Sequence, residues 1–315
     1  MPSNESTHQT LSQIRSLLAA HDLRPRHRFG QNFLHDDSKL THIINAANLS
    51  PGDAVLEVGP GTGALSIRLI QQGAALLAIE IDQALEPILQ EQFTNAAAAT
   101  TGTNDPTESA AASPPPRIII ADVLAGKHEI NPLVLDALKL VTTSANKPNT
   151  FKLIANLPYN VASPLLINLM LLPFSTDQCD PPPPTMTGAV VTIQREVADR
   201  LAAPPGGKDY GPLSVMIQSM YAVKRVTNLP AGCFWPPPKV ESAAVAITAL
   251  PKALTERPDL LSTLLHRLFS KRRKQIGSIL GRNFPLPAGI QATYRPEQLT
   301  VEQLIELSHV ADDTA

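Results

Sequence analysis

The chain has 315 residues, 43% of them hydrophobic, which is enough for a sizeable buried core and suggests one large domain plus a smaller one. The formal net charge of −2 gives no global pull toward nucleic acid, so such a partner would have to be met by local clusters. Cys179 and Cys233 lie far apart without CxxC spacing, which argues against a zinc site or disulfide framework and suits a reducing cytoplasm; no run of about 18 apolar residues spans a membrane, and Met1 to His21 lacks a signal pattern.

Residues 1–22 are polar with one short apolar patch (Leu11, Ile14, Leu17, Leu18) and read as a flexible N-terminal segment, at most a loose helix. From Thr41 to Asp199 short apolar runs alternate with amphipathic stretches. Strands are expected at Ala54 to Val58, Leu76 to Glu80, Ile118 to Asp122, Phe151 to Ala155 and Ala189 to Ile193. Helices are expected from Ala64 to Gln72, with Gly73 as the stop, and after Glu80 through Leu89. A further helix should open at Ser163-Pro164, with Ser as N-cap and Pro at the first helical position. Strands alternating with helices imply an α/β fold with a parallel sheet covered on both faces. Residues 94–116 and 177–184, rich in Ala, Thr, Ser and Pro, read as exposed insertions. Beyond about Leu250 only helical patterns occur. Leu260, Leu261, Leu264, Leu265, Leu268 and Phe269 form a stripe, and Thr300 with Gln303 resembles a capping box. The expected domains are 1–22, 23–250 and a small helical domain over 251–315.

Two loops at strand ends carry the chemistry. Glu57-Val58-Gly59-Pro60-Gly61-Thr62-Gly63 follows a strand and opens a helix, and its glycines let the backbone turn sharply against a ligand. With Glu80 about 20 residues on, the spacing suits a ribose in NAD or in S-adenosylmethionine alike. Glu57 tilts the choice, because an acidic group there suits an ammonium and a sulfonium better than a pyrophosphate. Asp122, at the next strand end, is placed to hold the adenine amino group. Asn156-Leu157-Pro158-Tyr159 places an amide, a proline and an aromatic ring at the carboxyl end of another strand, where ligands bind in open α/β sheets. These groups suit a grip on a flat aromatic amine. The Asn156 oxygen and a carbonyl near Pro158 would hold its hydrogens, favouring a more tetrahedral nitrogen. Tyr159 would stack on the ring, a contact worth roughly 1–3 kcal/mol.

Taken in order, Arg28-Phe29-Gly30-Gln31-Asn32-Phe33-Leu34, Glu57 to Gly63, Ile79-Glu80-Ile81-Asp82, Asp122, Asn156 to Asn160, Tyr210 to Val215, Phe234-Trp235-Pro236-Pro237-Pro238-Lys239-Val240-Glu241-Ser242 and Lys271 to Ile276 resemble the bacterial small-subunit ribosomal RNA adenine dimethyltransferases, the KsgA/RsmA family. The resemblance covers roughly residues 24–310 outside the two insertions. It implies a Rossmann-like S-adenosylmethionine-dependent methyltransferase domain with a helical RNA-binding domain. It further implies N6-dimethylation of two adjacent adenosines in the 3′-terminal hairpin of 16S rRNA, with a role in subunit biogenesis. By similarity, Asn32 and Leu34 close over S-adenosylmethionine, Gly59 and Gly61 line its methionine, Glu80 meets the ribose, Asp122 meets the adenine, and Asn156 sits between cofactor and target. Asn156, Pro158 and Tyr159 form the catalytic set, with Tyr159 on one face of the target base. Phe234 covers the other face or belongs to the core. Arg272, Arg273 and Lys274 are expected on RNA, beside Arg267, Lys271 and Arg282; Arg24, Arg26, His27 and Arg28 form a second basic cluster. No metal is expected, and the protein should act as a cytoplasmic monomer. The alternatives are a large-subunit adenine methyltransferase of the macrolide-resistance type and a non-catalytic assembly factor with the same fold. A dehydrogenase leaves Asn156 to Tyr159 unexplained.

Overall fold

The computed structural model describes residues 9–101, 114–126, 129–145, 147–174, 182–281 and 283–313. Most of the expected insertions, with Cys179 and Arg282, lies outside these residues. The chain clusters into two units. One runs through Arg195 and takes in Arg225–Ala246; the other holds Glu196–Lys224 and the stretch from Ile247 on.

A seven-stranded sheet is built from β1 (Ala54–Val58), β2 (Ala75–Glu80), β3 (Arg117–Ile120), β4 (Thr150–Asn156), β5 (Thr185–Gln194), β6 (Tyr221–Leu229) and β7 (Ser242–Ala249), in the order β3-β2-β1-β4-β5-β7-β6. The first five pair in parallel, with Leu56 beside Leu77 and Leu153, and Asn156 beside Thr192. Every residue of β1 and β2 is buried, as expected of parallel strands covered on both faces. The strand order reverses between β2-β1 and β1-β4. The carboxyl ends of these strands therefore flank the crevice where ligands of such sheets bind.

Four expectations need revision. Residues 9–22 are not a loose segment: Leu11–Ala20 is a helix, α1, opened by a Thr10–Gln13 capping box, with Ile14 fully buried and Leu18 at 2% exposure. The helix after β2 continues to Thr101, so the first part of the expected 94–116 loop is helical. The helix after the tetrapeptide runs Ala162–Leu171 and starts behind Val161 with no side-chain cap, one residue before Ser163. Val161 N–H already bonds to the Pro158 carbonyl at 3.1 Å, so the turn itself leads into the helix. Finally, the second unit does not begin at 251. It starts at Ile247 and also takes Glu196–Lys224, including the helix Pro212–Gln218, which packs with Pro258–Phe269.

Within that second unit, Leu261, Leu264, Leu265 and Leu268 bury the stripe of the helix Pro258–Phe269. The capping box before Val301–Asp313 is present, with Thr300 N–H donating to Gln303 Oε1 at 3.0 Å and Gln303 N–H to Thr300 Oγ1 at 3.3 Å.

Candidate active site

The loops after β1, β2, β3 and β4 and the segment Arg28–Leu34 line one open cleft. Asn32, Leu34, Gly59, Gly61, Glu80, Asp122, Asn156, Pro158 and Tyr159 all lie on its wall, so groups scattered over 128 residue positions converge on one space.

The glycine loop packs against its neighbours, most tightly at Gly61. Gly59 (φ 72°) has Pro158 Cδ and Cγ 3.4 and 3.5 Å from where a Cβ would stand, so the loop and the tetrapeptide are in direct contact. At Gly61 (φ 62°) a Cβ would fall 2.9 Å from two atoms of the Phe33 ring. Gly61→Ala therefore carries a left-handed penalty of about 1–2 kcal/mol plus displacement of that ring. The variant is expected to melt several degrees below the parent in calorimetry, at roughly 2–4 °C per kcal/mol for a chain this size.

Three carboxylates face the cleft. Glu80, at the end of β2, accepts from Gly61 N–H at 3.2 Å and from Asp82 N–H at 2.9 Å, which fixes it at the loop. Burial pushes its carboxyl above the usual range, and those two backbone donors pull it back. Glu57 is 1% exposed, and its Oε2 has no hydrogen-bond partner among the described residues. Burial pushes it up to about 8; Ser66 counters this and the Glu80 charge adds to it. Asp122 is exposed, with Oδ1 accepting from Leu124 N–H at 3.0 Å.

The target end is held by ties between distant motifs. Asn156 Nδ2 donates to the Asn32 carbonyl at 3.0 Å, and Asn32 Nδ2 donates to the Gly30 carbonyl at 3.0 Å. With its N–H so used, Asn156 is oriented with Oδ1 available as an acceptor. One lone pair of the Pro158 carbonyl is taken by Val161 N–H, leaving the other. The Tyr159 hydroxyl and Ser242 Oγ are 2.7 Å apart, so the proline-rich motif anchors the ring; burial raises that phenol above its ordinary value, and Ser242 opposes the shift.

Two expected site residues sit elsewhere. Phe234 is 3% exposed, pairs with Leu34 and belongs to the core cluster, without lining the cleft. Its ring is used in packing rather than presented as an open stacking face. Arg272, in the second unit, donates to the carbonyls of Lys208 (2.8 Å) and Gly207 (3.0 Å) and lies 3.7 Å from Glu297. It fastens a loop. Arg267 likewise donates to the Ile279 and Leu280 carbonyls. Lys271, Arg273 and Lys274 are exposed and follow the helix in a turn rather than lying on it. In the other basic cluster, Arg26 pairs with Asp82 at 2.6 Å, and Gln31 Nε2 donates to the second Asp82 oxygen at 2.8 Å.

Ser242, Asp82 and the pair Gln9–Thr62 were not singled out by the sequence. Thr10-x-x-Gln13 before Ile14 and Leu18 was a legible helix start that would have placed Gln9 beside a folded element.

Residues 23–312 match the family described as Ribosomal RNA adenine dimethylase. The "Ribosomal RNA small subunit methyltransferase A" of Pseudomonas fluorescens (strain Pf0-1) is 34% identical over 298 residues, covering 90% of this chain and 92% of that one. A dimethyladenosine transferase structure from Plasmodium falciparum superposes with a TM-score of 0.63 at 23% identity, covering 87% of this chain and 95% of that one. The structure of the 23S rRNA methyltransferase ErmE gives 0.62 at 22% identity, covering 89% and 100%. These two likenesses establish a shared fold and do not choose between subunits. The family match over most of the length, with the 34% identical relative, shows that the chain belongs to the ribosomal RNA adenine dimethylase family.

Proposed function

We propose that this chain uses S-adenosylmethionine to dimethylate the N6 amino groups of two adjacent adenosines in the 3′-terminal hairpin of 16S rRNA, within the small subunit during its biogenesis. The observation that carries this reading is the orientation of Asn156, tied through Nδ2 to the Asn32 carbonyl so that Oδ1 is left to accept from an aromatic amine. When bound, S-adenosylmethionine supplies an electrophilic methyl group. The residues present fit it: Glu57 offers an unpartnered buried carboxylate oxygen to a cation, Gly59 and Gly61 put backbone on the cleft wall, and Glu80 and Asp122 offer acceptors to hydroxyls and an amino group.

Asn156 Oδ1 and the Pro158 carbonyl hold the amine's two hydrogens and free its lone pair from the ring. Tyr159, fixed by Ser242, covers one face of a base that has left its stack. In-line displacement needs alignment more than a strong base. The nitrogen loses its proton readily once alkylated, which fits a cleft wall whose described residues include neither His nor Cys.

Lys271, Arg273 and Lys274 are the exposed charges that suit RNA phosphates, while Arg272 secures the loop beneath them. Replacing Arg273 and Lys274 by Ala is expected to weaken subunit binding and lower the slope of log K against log salt by about 1 per lost contact. Arg272→Ala should instead lower the melting temperature. An unchanged salt slope in the double variant would move the RNA surface elsewhere.

We place the protein in the cytoplasm, acting as a monomer on subunits; no helix among the described residues is long and apolar enough to cross a membrane. The deciding experiment offers both ribosomal subunits to the protein with S-adenosylmethionine and weighs the RNA. Four added methyl groups on small-subunit RNA are expected. Product only on large-subunit RNA would reverse the substrate, and no product would favour a non-catalytic assembly role.

A further inference from the structure

The family match begins at residue 23, yet the helix before it reaches the cofactor loop. Gln9, 8% exposed, uses both ends of its amide on Thr62, which lies between the last two glycines of the loop. Gln9 Nε2 donates to the Thr62 carbonyl at 2.9 Å, and Thr62 Oγ1 donates to Gln9 Oε1 at 2.9 Å. The same Nε2 also reaches Gln92 Oε1, at 3.2 Å, on the helix that packs behind the loop. Thr62 is 1% exposed and lines the cleft.

We propose that Gln9 is a positioning residue, and that α1 holds the glycine loop in its ligand-ready shape through the Gln9–Thr62 pair. Thr62 stands between Gly61 (φ 62°) and Gly63 (φ 87°). Glycines on both sides leave the loop many conformers in the absence of outside ties. A loop ordered only by its ligand charges that ordering against affinity, whereas a loop already ordered does not. Gln9 supplies the outside tie, and α1 makes it firm. Ile14 and Leu18 join the core cluster that contains Leu65, Leu69, Leu89 and Phe93 around the loop's following helix. Arg15 lies 5.2 Å over the Trp235 ring, which itself stacks on Phe33 beside Gly61. The side-chain tie of Asn156 runs to Asn32 and not to this pair, so the pair is expected to act on binding rather than on the transfer step.

The proposal rests on reading the cleft as an S-adenosylmethionine site, and its test separates the two. Gln9→Ala, Thr62→Val and the double variant are made in the full chain. Amide hydrogen exchange over residues 59–65 is measured without ligand, followed by S-adenosylmethionine titration and steady-state kinetics. Each single change is expected to raise exchange in the loop but not in the central strands. Kd and KM should rise about 3–10-fold, the scale of one or two lost buried hydrogen bonds, with kcat within about twofold. The double variant should be no worse than Gln9→Ala, which already removes both hydrogen bonds, whereas Thr62→Val keeps the bond to its backbone carbonyl and should cost less. Gln9→Glu, which can still accept from Thr62 Oγ1 but not donate to its carbonyl, should fall between. Unchanged loop exchange, additive losses, or faster exchange spread evenly over the chain would overturn the proposal. Failure of the parent protein to bind S-adenosylmethionine would sink the cofactor reading alone, and the exchange result would still decide the role of Gln9.

Discussion

Asn156→Ala is expected to lower kcat by about 10²–10³-fold while changing the Kd for S-adenosylmethionine only a few-fold. The estimate follows from what a hydrogen-bond group that acts mainly in the transition state contributes in other enzymes. The substitution removes two things: the Oδ1 acceptor offered to the amine, and the Nδ2 donor that holds the Asn32 carbonyl at 3.0 Å. Asn156→Asp separates them, since it keeps an acceptor and loses the donor. If the acceptor is what matters, Asp should retain more turnover than Ala. If the tie to Asn32 is what matters, both should fail alike and both should loosen residues 30–34 in hydrogen exchange. Near-parent methylation by Asn156→Ala would remove the residue from the chemistry altogether.

The sheet was legible because parallel strands buried on both faces must be continuous apolar runs, and β1, β2, β4 and β5 each contain one. The second unit was less so. Its borrowed helix Pro212–Gln218 spans only seven residues, too short for a helical period to show, and its place depends on packing with a helix some 45 positions later. The docking of the N-terminal helix was missed for a different reason: its polar residues suggested looseness, while two buried side chains, Ile14 and Leu18, suffice to fix it. At the site, residue types that a ligand demands were readable at strand ends. What was not readable is how charges are spent inside the protein. Arg272 and Arg26 look like phosphate ligands in sequence, and both are committed to internal partners, one to backbone carbonyls and one to Asp82. Phe234 shows the same limit for aromatic rings. The sequence left open whether its ring faces a base or the core, and pairing with Leu34 at 3% exposure puts it in the core.

Glu57→Gln should make ligand affinity independent of pH where the parent's is not. The Glu57 carboxyl is buried, with one oxygen unpartnered, and burial lifts it to about 8 from an ordinary 4.5. A cationic ligand prefers the carboxylate, so below about pH 8 binding must displace a proton. The parent's Kd should therefore worsen by up to about tenfold per unit as pH falls below 8. Above pH 8 the parent should bind about 10–100-fold more tightly than the variant, the range of a charge-assisted hydrogen bond. The gap should shrink toward pH 6.5. Folding carries the opposite sign. Because the folded value lies above the unfolded one, the contribution of Glu57 is fully present below about pH 4.5 and is lost as pH rises to 8. The variant, with no proton to lose, should consequently melt above the parent at pH 8.5 and draw level or fall behind near pH 5. Titration calorimetry in two buffers of different ionisation enthalpy counts the proton directly. A parent that releases none at pH 7, with an affinity gap constant from pH 6.5 to 8.5, would mean that Glu57 is already ionised and that a neighbour, rather than the ligand, satisfies its second oxygen.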